Sequence, residues 1–143
     1  MTVTVNLQCD DIDSLLNDSL SWARTHQRAY RQESLYGSSS DGGSIALRIH
    51  GAELEGHDYS MIVITNVAIP DGRQGQGLYR TFLSELDALD FGLRCHSMTE
   101  NSWLADRHRA HGYKETVIGD TPTFYKIIGE PLPPLTDQTK PGP

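Results

Sequence analysis

Apolar residues fall along this chain in two rhythms, a period of two and a period near three and a half, and their succession outlines an α/β domain. Thr2 to Leu7 alternates polar and apolar side chains as a half-buried strand does. Asp10 and Asp11 then offer carboxylates of the capping type, and Ile12, Leu15, Leu16, Leu20 and Ala23 recur at helical spacing to about Arg24. The stretch THQRAYRQESLYG, 25 to 37, reads as a second, more polar and broken helix closed by Gly37. SSSDGG at 38 to 43 is a loop or hairpin entry, Ser44 to His50 a strand, and Gly51 to Asp58 carries a turn.

Tyr59 to Ile69 is the strongest strand, because its uninterrupted MIVI needs cover on both faces and so predicts a central position with helices flanking the sheet. Beyond the loop DGRQGQGLYR, Leu78, Phe82, Leu86 and Leu89 give a helix with one apolar stripe that ends before Gly92. Leu93 to Met98 is a strand, Asn101 to His111 an amphipathic helix stopped by Gly112, and Tyr113 to Val117 with Thr123 to Ile128 a closing hairpin. Residues 1–128 are read as a single domain and 129–143 as a Pro-rich tail, extended or disordered.

Composition narrows the partners. A chain of 143 residues holds one ordinary core. Nineteen Asp and Glu against twelve Lys and Arg give a formal charge of −7, which argues against nucleic acid and anionic membrane and favours a cationic substrate. The first residues lack the basic and apolar regions of a signal peptide, and no apolar run approaches the ~20 residues of a membrane span; the expected location is the cytoplasm. Cys9 and Cys95 lack metal-ligand spacing and read as reduced, structural thiols. His108 and His111 share a helix face without an evident third ligand, so no metal is expected.

The glycine-rich loop is where chemistry enters. A phosphate loop of the GxxxxGK[ST] kind needs Lys after its last glycine, and Leu78 follows Gly77. The dinucleotide pattern GxGxxG places Arg80 where its third glycine belongs. What remains is a strand, a pliable loop and a helix, in which the backbone N–H groups of residues 75 to 80 can turn inward on a diphosphate while the helix N-terminus adds partial positive charge. Arg73 and Arg80 flank this loop, Arg80 being the better phosphate ligand.

Gln74-Gly75-Gln76-Gly77-Leu78-Tyr79, set between MIVITNVAI and an amphipathic helix, resembles the pyrophosphate motif Q/R-x-x-G-x-G/A of the GCN5-related N-acetyltransferases. Gln74 and Gly77 match, and Tyr79 stands where the family has a small residue. Downstream, Asn101, His108, Gly112 and Tyr113 fall at the offsets of the family's Asn, its Tyr general acid and its Gly-Phe pair. The resemblance covers roughly Tyr59 to Ile128, half the chain. It implies a mixed, twisted, mostly antiparallel sheet flanked by helices on both faces, with a splayed central strand. It further implies transfer of an acetyl group from acetyl-coenzyme A, as co-substrate and without a metal, to an amine on a small molecule, a protein lysine or an N-terminus. Gln74, Gly75, Gln76, Gly77, Leu78, Tyr79, Arg80 and Asn101 would hold the coenzyme, Val67 and Ile69 would support the thioester through their backbone N–H groups, and His108 would assist proton transfer to the thiolate. The acceptor and the oligomeric state stay open, a homodimer among the options. Two other classes remain: an acyl-coenzyme A-binding module without turnover, and an acidic interaction protein on the same scaffold.

Overall fold

A computed structural model describes residues 3–27, 32–97, 106, 108–118 and 121–132. Seven strands form one open sheet: β1 (Val3–Cys9), β2 (Glu33–Ser39), β3 (Ser44–Leu54), β4 (His57–Ala68), β5 (Leu93–Ser97), β6 (Lys114–Ile118) and β7 (Thr121–Ile127), in the order β1-β2-β3-β4-β5-β7-β6. Two pairs, β1 with β2 and β4 with β5, are parallel, and the other four are antiparallel. This is the mixed, mostly antiparallel sheet that the family resemblance implies, with β4 at its centre.

Helix α1 (Ile12–Thr25) begins where Asp11 accepts the Ser14 N–H at 2.8 Å, an ordinary N-cap, and α2 (Leu78–Asp87) follows β4. Both helices bury their apolar stripes in one core cluster with Leu35, Ile45, Leu47, Ile49, Ile62 and Ile64. The opposite face carries a second cluster built on Met61, Val63, Leu93, Cys95 and Tyr125. The side chains of β4 alternate between the two clusters, which is the physical reason for its unbroken apolar run. None of the described helices is long and apolar enough to cross a membrane.

The expected polar helix over 25 to 37 is overturned where the chain is described. Glu33–Ser39 is a strand, parallel to β1 on one side and antiparallel to β3 on the other. Ladder bonds on both edges outweigh its weak apolar pattern. Gly37 does not close a helix; a Cβ there would meet Leu15 Cδ1 at 2.5 Å, so the glycine lets α1 lie close on the sheet. The turn expected over Gly51 to Asp58 shrinks to Glu55 and Gly56, between the paired residues Leu54 and His57. Past Ile128 the packing continues: Leu132 is buried, and its N–H bonds to the Asp58 carbonyl at 2.7 Å.

Candidate functional site

Two irregularities of β4 make room for a ligand. Its pairing with β5 runs from Met61↔Leu93 to Ile64↔His96 and stops, although β4 continues to Ala68. At the same point its pairing with β3 slips by one residue, leaving Thr65 as a bulge whose hydroxyl bonds to the Ala46 carbonyl at 3.0 Å. Thr65 to Ala68 therefore have no strand partner on the β5 side among the described residues, which on β5 extend one residue past His96, to Ser97. Val67 and Ile69 lie along this stretch and pack by their side chains against the first core cluster.

The strand leads through a short 3-10 turn, Asp71–Arg73, into the glycine loop. Gly75 and Gly77 have φ of +81° and +75°, the left-handed region, and a Cβ on either would meet no atom within 4 Å. Glycine is thus demanded by backbone conformation, and the space in front of it is open. Gly77 sits at the N-cap of α2 with no side-chain cap and no acidic residue in the first turn, so the first amide donors of this helix are free for a ligand. A cavity of about 360 Å³ lies against these groups, lined by Ile69 and by every residue from Arg73 to Arg80 except Gln76. A second, of about 650 Å³, shares Ile69 and Gln74 with it and is bordered by Asp41 and Asp71.

The loop is held in shape by its own polar side chains. Gln74 Nε2 donates to the Ile69 carbonyl at 3.1 Å, and Gln76 Oε1 accepts from Arg73 Nε at 2.8 Å. Arg73 also makes a two-pronged pair with Asp13 of α1, at 2.8 and 3.1 Å, which holds the Asp13 carboxyl below its usual range. Arg73 is consequently occupied, whereas Arg80 lines the cavity, exposed and without an ion pair among the described residues. Leu78 packs on the first core cluster, as does Tyr79, whose phenol is pushed up to about 12 by burial above all and then by Tyr113. Tyr79 thus packs on the core and lines the cavity as well, at the position where the resemblance implies a small residue. Asn101 lies outside the described residues.

His108 belongs to the helical residues 106 and 108–110. Its ring stacks at 4.5 Å from His96, 5.2 Å from Tyr113 and 5.1 Å from Phe124. The helix end explains the placement. Gly112, at φ +85°, bonds to the Arg109 carbonyl at 3.2 Å and Tyr113 to the His108 carbonyl at 3.1 Å, a Schellman motif that turns Tyr113 back onto His108. Gly112→Ala is expected to cost about 1 to 2 kcal/mol of left-handed strain, read as a fall of several degrees in thermal midpoint. Burial first, then His111 and Arg94, hold the His108 imidazole below its ordinary value, so near neutral pH it is uncharged and takes a proton before giving one.

Sequence reasoning passed over Arg94 and His96, which the fold brings beneath Tyr113. Arg94 bonds to Asp87 at 2.5 Å, to the Leu83 carbonyl at 3.3 Å and to the Tyr113 hydroxyl, and His96 meets the same hydroxyl at 3.1 Å. Burial first, then His108 and Arg94, push His96 down to about 3. The signal was the alternation of Leu93-Arg94-Cys95-His96 in a strand beside the central one: polar residues on a covered face require partners.

No protein-family model matches the sequence, and no curated protein matches it. Solved structures with similar chain paths include a mutant of the AtaT toxin bound to the C-terminus of the antitoxin AtaR, at 15% identity and TM-score 0.44 over 60% of this chain and 58% of that one. The same toxin with acetyl-CoA also present gives 14% and 0.43 over the same shares. The KacTA–DNA complex gives 16% and 0.45, over 83% of this chain and 82% of that one. This chain thus spans less than two thirds of the AtaT chain. At such identity and TM-score the likeness is too distant to bear on activity or partners.

Proposed function

We propose that the chain is a cytoplasmic N-acetyltransferase that moves an acetyl group from acetyl-coenzyme A to a primary amine, on a small molecule, a protein lysine or an N-terminus. One observation carries this reading: an uncapped helix start and two left-handed glycines face an open cavity at the very end of a strand whose next residues back have lost their β5 partner. Phosphate cradle and slot for an extended arm lie end to end, which is what a long molecule with a diphosphate at one end and a thioester at the other requires.

The residues divide the work. The amides of 75 to 80 and the Arg80 guanidinium hold the diphosphate, and Asn101 is assigned to the coenzyme by its place in the motif alone. Val67 and Ile69 offer main-chain N–H groups along the opening to the arm and the thioester oxygen. Bound there, acetyl-coenzyme A supplies an acyl carbon activated by a thiol leaving group. Asp41 and Asp71 at the second cavity favour a cationic acceptor. His108, uncharged at rest, takes the proton that the ammonium must lose before it can attack, and shuttles it onward.

His108→Ala is expected to lower kcat about 100-fold while acetyl-coenzyme A affinity stays within a factor of two or so, with His111→Ala close to wild type. Steady-state kinetics on an identified acceptor, paired with calorimetry, checks both. To find that acceptor, the protein is incubated with acetyl-coenzyme A and host lysate and new acetyl groups are mapped by mass spectrometry. Absence of acetyl-coenzyme A binding in the calorimeter would overturn the proposal.

A further inference from the structure

Arg94 is 5% exposed on β5, and a guanidinium can only donate. Its Nε–H, at 2.8 Å, and its Nη2–H both end on the Tyr113 hydroxyl oxygen. Two donors occupy both lone pairs of that oxygen, and its single proton is left to be given away. The acceptor in reach is Nε2 of His96 at 3.1 Å. This inventory fixes the imidazole: Nε2 is bare and the ring proton sits on Nδ1. Nδ1 has no hydrogen-bond partner among the described residues. Nδ1 is not among the buried unpartnered polar atoms of the described residues, which are Trp22 Nε1, Arg48 Nε and Ser60 Oγ, so it is open to solvent and to a ligand that displaces it.

His96 also occupies the one position on β5 where such a donor is useful. It forms the last described rung with Ile64 between β4 and β5. From Ile69, beside the phosphate cradle, back to Ile64 is five residues, roughly 16 Å of strand. An arm anchored by its diphosphate at the loop and laid along that edge brings its sulfur end to that rung.

We propose that Arg94, Tyr113 and His96 form a proton relay that protonates the coenzyme A thiolate as it leaves, an inference that rests on the acetyl-transfer reading above. The His96 Nδ1–H bond breaks as an S–H bond forms, and the Tyr113 O–H bond breaks as a His96 Nε2–H bond forms. The negative charge that began on sulfur ends on the phenol oxygen, where two Arg94 N–H groups already point, and nothing is oxidised or reduced. Water then returns a proton to the phenolate, and exchange restores the first tautomer. Burial raises the Tyr113 phenol above its ordinary value, so the phenolate is short-lived and depends on the two Arg94 N–H bonds while it lasts. His96 is the catalytic residue, touching sulfur; Tyr113 and Arg94 act through it and are positioning residues. With His108 taking the acceptor's proton, donor and base are separate groups on one cluster.

Nitrogen-15 NMR of the labelled protein reads the proton's place on each imidazole. The wild type at pH 7 is expected to show His96 wholly as the Nδ1–H tautomer, and added coenzyme A should shift its Nδ1 resonance. Tyr113→Phe, which keeps the ring against His108, should relax His96 to a mixture of tautomers. A wild-type His96 protonated on Nε2, or a mixture, overturns the relay, and this spectrum decides that point even if the variant fails to fold. Coenzyme A that binds by calorimetry yet leaves Nδ1 unmoved overturns the relay and spares the acetyl-transfer reading. Failure of both coenzyme A and acetyl-coenzyme A to bind overturns both.

Discussion

Valine at both position 75 and position 77 is expected to weaken acetyl-coenzyme A binding at least ~1000-fold, below what calorimetry detects, while the domain stays folded. Each glycine holds a left-handed φ, and each would-be Cβ points into open space. The folded protein therefore feels no clash. It feels strain of about 1 to 2 kcal/mol per site, within the 5 to 15 kcal/mol or so that an ordinary domain has in hand. The ligand feels far more. Branched side chains stand where the diphosphate must approach the amides, and an excluded charge-assisted contact costs about 1.5 to 3 kcal/mol for each hydrogen bond lost. Two or more such bonds reach three decades in affinity. Gly72→Ala is the control: its Cβ also meets open space, its φ is not left-handed, and it lies outside the cradle. Unchanged affinity in the double variant, with circular dichroism showing a native fold, would place the diphosphate elsewhere.

Acid should unfold this protein earlier than its carboxylates alone require. His96 is held at about 3 in the folded state, against about 6.5 for a free imidazole. A folded value below the unfolded one means that the unfolded chain binds the extra proton, so stability is complete above pH 6.5 and falls as pH drops from there toward 3. The full displacement corresponds to about 4 to 5 kcal/mol, a large share of a domain's reserve. His50 and His108, also lowered chiefly by burial, act in the same direction. Asp13, Asp41 and Glu115, lowered by bonds from Arg73, Ser39 and Arg109, begin to matter only below about pH 4.5. Urea midpoints measured from pH 7 to 4.5 therefore isolate the imidazoles. His96→Gln keeps an acceptor for the Tyr113 hydroxyl and does not titrate, so its midpoint should fall much less over that range. Parallel slopes for wild type and variant would refute the assignment.

How far the architecture could be read in advance depended on whether each element carried its own signal. Ile12, Leu15, Leu16, Leu20 and Ala23 announce α1 because all five are buried, and burial of one stripe is what a helical period encodes. MIVI announces β4 because two clusters draw on it. Strand β2 announced nothing: Glu33 and Ser34 are buried polar residues, and their strand conformation is imposed by partners up to thirty residues away in β1. Within the site the split is similar. Gly75 and Gly77 are legible since only a special backbone conformation justifies them. His108, Gly112 and Tyr113 are legible as a helix end with its returning side chain. The bonds from Arg94 through Tyr113 to His96 were not, because they join β5 to a residue nineteen positions away in the case of Arg94 and seventeen in the case of His96, and no local pattern reports a contact of that span.

The cradle is assembled before anything enters it. Arg73 ties the loop to α1 through Asp13, Gln76 braces Arg73, and Gln74 closes the loop on the end of β4. A site already in its binding shape does not spend affinity on ordering itself. Capture of coenzyme A then proceeds at a rate set by encounter and by the local charge rather than by loop closure, and coenzyme A derivatives that differ only in their acyl group should arrive equally fast and be told apart by how long they stay.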